Sequence, residues 1–167
     1  MPINEALFAA MKAASYIKPN AGKSYKLQRV AEELIAKQAP DNPKCRVEDA
    51  FAPMADGYAV PLRVFKESTS SGNADGIPGN ANTELPSVTP RGTILFFHGG
   101  GWTTGGINLY TQACAHMAVR LQRRVISVEY RLAPEYRFPT AVEDCYEVAR
   151  QLFAGELPIS GVGGSVD

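Results

Sequence analysis

The apolar run Ile94-Leu95-Phe96-Phe97 passes directly into His98-Gly99-Gly100-Gly101-Trp102. This junction constrains the fold more than any other stretch of the chain. Four apolar residues bounded by glycines read as a buried strand. Three glycines in a row end that strand and leave several backbone N–H groups bare and closely spaced. Such a cradle suits an oxygen on which negative charge develops, and in acyl transfer one fixed donor of this kind contributes about 2.7–4 kcal/mol. The main rival chemistry for a glycine-rich turn is phosphate binding, and its spacings are not met. A dinucleotide pattern counted from Gly99 needs glycine at 104, which is Thr104. A Walker loop from Gly100 reaches Gly105 but is followed by Gly106 rather than lysine.

The rest of the chain says what must surround that turn. With 167 residues there is enough length for one domain with a real core. Lysine plus arginine equals aspartate plus glutamate at 17 each, which gives no reason to expect a nucleic-acid partner or a basic membrane patch. Residues 1–14 carry Glu5 and Lys12 inside a short apolar stretch, so neither a signal peptide nor a membrane span is expected and a cytoplasmic location follows. Cys45, Cys114 and Cys145 are odd in number and widely spaced, which points to free thiols in a reducing compartment.

Asn4 is placed to cap a short helix with Leu7, Met11 and Ala14 on one face. Ser24 is placed to cap a second, whose Leu27, Val30, Ala31, Leu34 and Ile35 form an apolar stripe. Val47 to Met54 and Tyr58 to Lys66 read as two strands joined at Asp56-Gly57. The segment from Ser68 to Pro90 is crowded with Ser, Thr, Asn, Gly and Pro and reads as a long flexible loop. Then comes alternation. Thr93 to Phe97 is a strand. Leu109 to Leu121 is a helix expected to turn Leu109, Ala113, Met117 and Leu121 inward. Val125 to Tyr130 is a strand. A final helix opens at Pro139 and is expected to bury Val142, Cys145, Ala149, Leu152 and Phe153. This β-α-β-α order implies an α/β protein with parallel strands covered on both faces.

A second motif follows the first by about thirty residues: Tyr130-Arg131-Leu132-Ala133-Pro134-Glu135, then Phe138-Pro139-Thr140-Ala141 and Asp144. Together, the two motifs resemble the hormone-sensitive-lipase-like branch of the α/β-hydrolases, a family of carboxylesterases and lipases. The order of two N-terminal helices, an antiparallel hairpin and parallel strands is similar too. The resemblance covers nearly all of this chain but only the N-terminal portion of the family's domain. It implies residues 1–40 as cap helices and 41–167 as the N-terminal part of the hydrolase core, with the flexible loop at 67–90. It also implies that Gly100 and Gly101 supply oxyanion-hole amides, that His98 and Gly99 shape and brace the loop, and that Trp102 shapes the entrance. Arg131, Glu135 and Asp144 would support the loop by ion pairs. The implied substrate is a small-molecule ester with a short to medium acyl chain. No cofactor and no metal are implied.

The family's nucleophile, acid and histidine are expected after the next strand, in that order, and are not expected in this chain. Ser165 in Gly161-Val162-Gly163-Gly164-Ser165-Val166-Asp167 lacks the strand–turn–helix setting of a nucleophile elbow, and Asp167 stands where a second glycine belongs. Both histidines, His98 and His116, precede it. His116 and Cys114 are two apart on a helix and point different ways. The chain is therefore expected to be a fragment of a longer esterase and inactive by itself. Loss of the serine or histidine costs on the order of a million-fold, while an oxyanion hole with binding alone retains about 10³–10⁴ over water. The alternative is a non-catalytic remnant that binds partners through an open sheet edge at 93–97.

Overall fold

The computed structural model describes residues 24–37, 42–68 and 92–159. The expected helix at Asn4, the loop from Ser68 to Pro90 and the segment around Ser165 lie essentially outside them. The described elements are α1 (Ser24–Lys37), β1 (Cys45–Pro53), β2 (Ala59–Glu67), β3 (Thr93–Phe97), α2 (Ile107–Leu121), β4 (Arg124–Val128) and α3 (Thr140–Ala154). The strands form one mixed sheet in the order β1-β2-β4-β3. β1 and β2 pair antiparallel from Cys45–Glu67 to Pro53–Ala59. β2 meets β4 antiparallel, and β3 runs parallel to β4 from Thr93–Arg124 to Phe97–Val128. This mixed sheet is the arrangement that the resemblance implies for the N-terminal part of an α/β-hydrolase fold.

The hairpin forms where the sequence places it. Gly57 takes φ +83°, a value that favours glycine. The Asp56 carboxylate accepts the Tyr58 amide at 3.0 Å, and the Met54 amide donates to the Tyr58 carbonyl at 2.8 Å. Alternation along β2 and β4 then makes two cores. On one face Val60, Leu62, Val64, Ile126 and Val128 pack with Ala141 and Val148 of α3. On the other, Phe65 and Val125 pack with Cys114, Ala115 and Ala118 of α2. The helices thus lie on opposite faces of the sheet and cover both.

The inward faces of both helices differ from the sequence expectation. In α2 the buried residues are Ile107, Cys114, Ala115 and Ala118, while Ala113 and Leu121 are exposed. The narrow side carrying cysteine and alanine lets the helix approach the sheet, and the larger side chains are left toward its margin. In α3 the buried residues are Ala141, Asp144, Val148 and Gln151, while Val142 and Phe153 are exposed. Two polar side chains turn this helix. Asp144 pairs with Arg131, and the Gln151 amide donates to the Pro53 carbonyl at 2.7 Å. Pro139 sits one residue before α3, at its N-cap. β4 ends at Val128, so Glu129 and Tyr130 already belong to the following loop.

The apolar stripe of α1 is outward. Leu27, Val30, Leu34 and Ile35 are each more than half exposed. The described contacts of this helix with the loops come from its polar side: Gln28, Arg29 and Glu32.

Candidate active site

The site grows from the C-terminal end of β3, where the sheet stops and the glycines begin. Gly100 adopts φ +134° and Gly101 φ +59°. A Cβ on Gly100 would lie 1.9 Å from the Thr104 carbonyl oxygen, whereas one on Gly101 would meet nothing within 4 Å. The turn is folded onto the Gly100 carbonyl, which accepts the Thr103 and Thr104 amides at 3.1 and 3.0 Å and the Thr104 hydroxyl at 3.2 Å. The Gly101 carbonyl accepts the Thr103 hydroxyl at 3.1 Å. The carbonyls are therefore occupied, while the amides of Gly100 and Gly101 donate to no acceptor among the described residues. Trp102 holds φ +63°, an uncommon conformation for a bulky residue. Gly99 precedes this turn, and its carbonyl faces the His98 ring at 3.0 Å.

His98 is only 4% exposed. Its ring stacks on Tyr130 at 4.2 Å with planes 11° apart, and on Tyr110 at 6.1 Å. The Tyr130 hydroxyl donates to the His98 carbonyl at 2.6 Å. Burial pushes that phenol up to about 12, so it remains a donor at neutral pH. Trp102 packs against the same tyrosine at a tilt of 58°, with ring centroids 5.3 Å apart.

The second loop is tied to the first and to the scaffold. The Ala133 amide donates to the Trp102 carbonyl at 2.8 Å. Arg131 grips Asp144 with two nitrogens, at 2.6 and 2.9 Å, and Asp56 with the third at 2.6 Å. The Asp144 carboxylate also accepts the Arg131 amide at 3.0 Å. Asp144 is 1% exposed, and this fork meets the demand of a buried carboxylate. The same contacts, led by the hydrogen bond to Asp144, drive the Arg131 guanidinium further up. Tyr58 and Tyr136 flank its cation at 4.5 and 5.3 Å.

Glu135 does not close an ion pair inside its own loop. Its partner is Arg29 of α1, at 3.1 Å. Sequence reasoning missed Arg29, Glu32 and Glu129. The Glu32 carboxylate accepts the Gly105 amide at 2.8 Å, and the Glu129 carboxylate accepts the Ile107 amide at 2.5 Å, at the start of α2. The available signal was the polar face of α1, where Gln28, Arg29 and Glu32 stand together opposite the apolar stripe. His116 is exposed while Cys114 is fully buried, so the two form no pair. Burial pushes the Cys114 thiol up to about 11. No group of three His, Cys, Asp or Glu among the described residues is placed to hold a metal ion. No helix among them is long and apolar enough to cross a membrane.

The sequence pattern of the alpha/beta hydrolase fold matches residues 94–162. The chain is 33% identical over 140 residues to an arylesterase of Saccharolobus solfataricus, covering 81% of this chain and 40% of that protein. It is 32% identical over 119 residues to an ethyl acetate hydrolase of Pseudomonas putida, covering 71% and 32%. Among solved structures it is similar to a hyperthermophilic esterase of the archaeon Pyrobaculum calidifontis. The TM-score there is 0.65 at 28% identity, over 91% of this chain and 44% of that one. The chain carries an N-terminal part of the α/β-hydrolase fold, is similar to esterases of that fold, and spans less than half the length of these relatives.

Proposed function

We propose that this chain is the oxyanion-binding part of a carboxylic-ester hydrolase. The observation that carries the reading is the turn at 100–104. Its carbonyls are folded into internal hydrogen bonds, while the Gly100 and Gly101 amides are left without an acceptor among the described residues. Two fixed amides suit the oxygen of a tetrahedral intermediate better than they suit a neutral carbonyl, and that difference lowers the barrier. His98 acts as a brace, held by stacking and hydrogen bonds, and not as a base. Arg131, Glu135 and Asp144 hold the second loop against the first. The serine nucleophile, its acid and its histidine lie outside this chain, which alone does not turn over ester. A cavity of about 150 Å³ lies between Trp102, Tyr136, Phe138 and Val142. An apolar cavity of that order takes up a group the size of a benzene ring, in keeping with a short to medium acyl chain or a small aryl group. We place the protein in the cytoplasm, a reading supported by three cysteines that are free thiols.

The reading is tested by titrating a ¹⁵N-labelled sample with diethyl phosphate, a tetrahedral anion. The Gly100 and Gly101 amide signals shift first and saturate together; shifts confined to other residues would overturn the assignment. Hydrolysis of p-nitrophenyl acetate is measured alongside. The expected result is no turnover above a Ser165→Ala control, and serine-dependent turnover would put the nucleophile inside the chain.

A second reading has its own support. β3 is an edge of the described sheet, and Phe97 at its end is 39% exposed. An open strand is a template for pairing with another chain, so the polypeptide would act as a non-catalytic partner-binding module. Sedimentation that finds a concentration-independent monomer would remove this alternative.

A further inference from the structure

Arg29 lies outside both motifs and touches both. Its Nε donates to the Thr103 carbonyl and its Nη2 to the Ala133 carbonyl, each at 2.8 Å. Nη1 and Nη2 also hold the Glu135 carboxylate at 3.1 Å. One turn along α1, Glu32 accepts the Gly105 amide, and on the other side Gln28 donates to the Thr104 hydroxyl at 3.3 Å. One helix face thus grips residues 103, 104 and 105, just beyond the glycine triplet and Trp102. The fold gives this grip weight. The apolar stripe of α1 points outward, so these polar contacts carry much of what fixes the helix to the two loops. A guanidinium presents its donors in a rigid plane and reaches three acceptors at once, which an ammonium cannot do.

We infer that Arg29 is a positioning residue for the oxyanion-binding amides. By holding the Thr103 and Ala133 carbonyls, it fixes the turn that closes on the Gly100 carbonyl and so sets where the Gly100 and Gly101 amides stand. This role rests on the function proposed above for those amides.

The test is amide hydrogen exchange by NMR on the full chain. The Thr103 and Thr104 amides, both bonded to the Gly100 carbonyl, report the turn. The Ile126 amide, in a fully buried central strand, reports global stability. Arg29→Met should speed exchange at Thr103 and Thr104 by about tenfold, the loss expected for charge-assisted contacts that restrain a local opening. Exchange at Ile126 should change far less. Arg29→Lys, which keeps the charge and is the gentler variant should the methionine variant not fold, should show the same local loss. The charge swap R29E/E135R restores an ion pair but not the carbonyl contacts, and should leave the turn unprotected. Protection that is unchanged in Arg29→Lys, that falls in step with Ile126, or that returns in the charge swap would overturn the role. If the turn responds as expected while diethyl phosphate leaves Gly100 and Gly101 unmoved, the functional reading fails and takes the positioning role with it. An unresponsive turn beside a successful titration removes the positioning role alone.

Discussion

The Tyr130 hydroxyl donates to the His98 carbonyl oxygen at 2.6 Å, and the two rings stack 11° from parallel. One tyrosine at the start of the second motif therefore anchors the first residue of the other. Tyr130→Phe keeps the stack and strands a buried carbonyl. The expected cost is about 1–3 kcal/mol, read from urea unfolding followed by far-UV circular dichroism. A variant as stable as the parent would show that this contact is not maintained in solution.

Gly100 and Gly101 are adjacent and both have positive φ, yet they should respond differently to alanine. At Gly100 the new methyl would run into the Thr104 carbonyl, so Gly100→Ala should open the turn and abolish protection of the Thr103 and Thr104 amides. At Gly101 there is open space, and the cost is the left-handed backbone alone, about 1–2 kcal/mol. Amide exchange of the two variants checks the contrast; equal effects would contradict the turn geometry.

Asp144 and Asp56 share Arg131 but differ in burial, with side chains 1% and 53% exposed. Breaking a buried pair from one side costs about 3–5 kcal/mol. Asp144→Ala should therefore shift the thermal midpoint strongly. Asp56→Ala, which removes an exposed partner of Arg131 and the acceptor of the Tyr58 amide, should shift it far less. Scanning calorimetry of both variants separates them, and a larger loss at Asp56 would be the adverse result.

Midway along α3, Glu147 is held by hydrogen bonds from Arg150 and then Gln151, which pull its pKa from 4.5 down to about 2. A depressed folded-state pKa means that the ion pair contributes stability above the unfolded value. That contribution is lost as pH falls from about 4.5 through about 2. An NMR titration of the Glu147 carboxyl should have its midpoint near the lower value, and Arg150→Met should move it back up. A parent midpoint close to 4.5 would mean that the pair is open in solution.

Element types were legible because they depend on local pattern. The run at 93–97, the Asp56-Gly57 turn and the alternation around it each carry their own signal, and the hairpin and the parallel pair followed; the antiparallel seam between β2 and β4 did not. Helix faces were less legible. In α2 the spacing of Leu109, Ala113, Met117 and Leu121 pointed to one side, but the sheet accepted the side with Cys114, Ala115 and Ala118. In α3 a charged residue, Asp144, is deeper than Val142 or Phe153, because Arg131 waits at the bottom. The glycine triplet and the Tyr130 motif were visible as candidates for the site. Arg29 was not, since an arginine on the polar face of an amphipathic helix looks like any solvated charge.

The sequence by itself determined that a strand must stop at Phe97 and that the next residues can take backbone angles closed to side chains. Those are properties of the chain over a few residues, set by sterics and by the absence of Cβ. Only the tertiary structure decided which carbonyls the turn would consume, which amides would be left over, and that α1 would reach across more than seventy residues of sequence to hold the turn. Such contacts arise from distances between distant segments, and no local pattern encodes them.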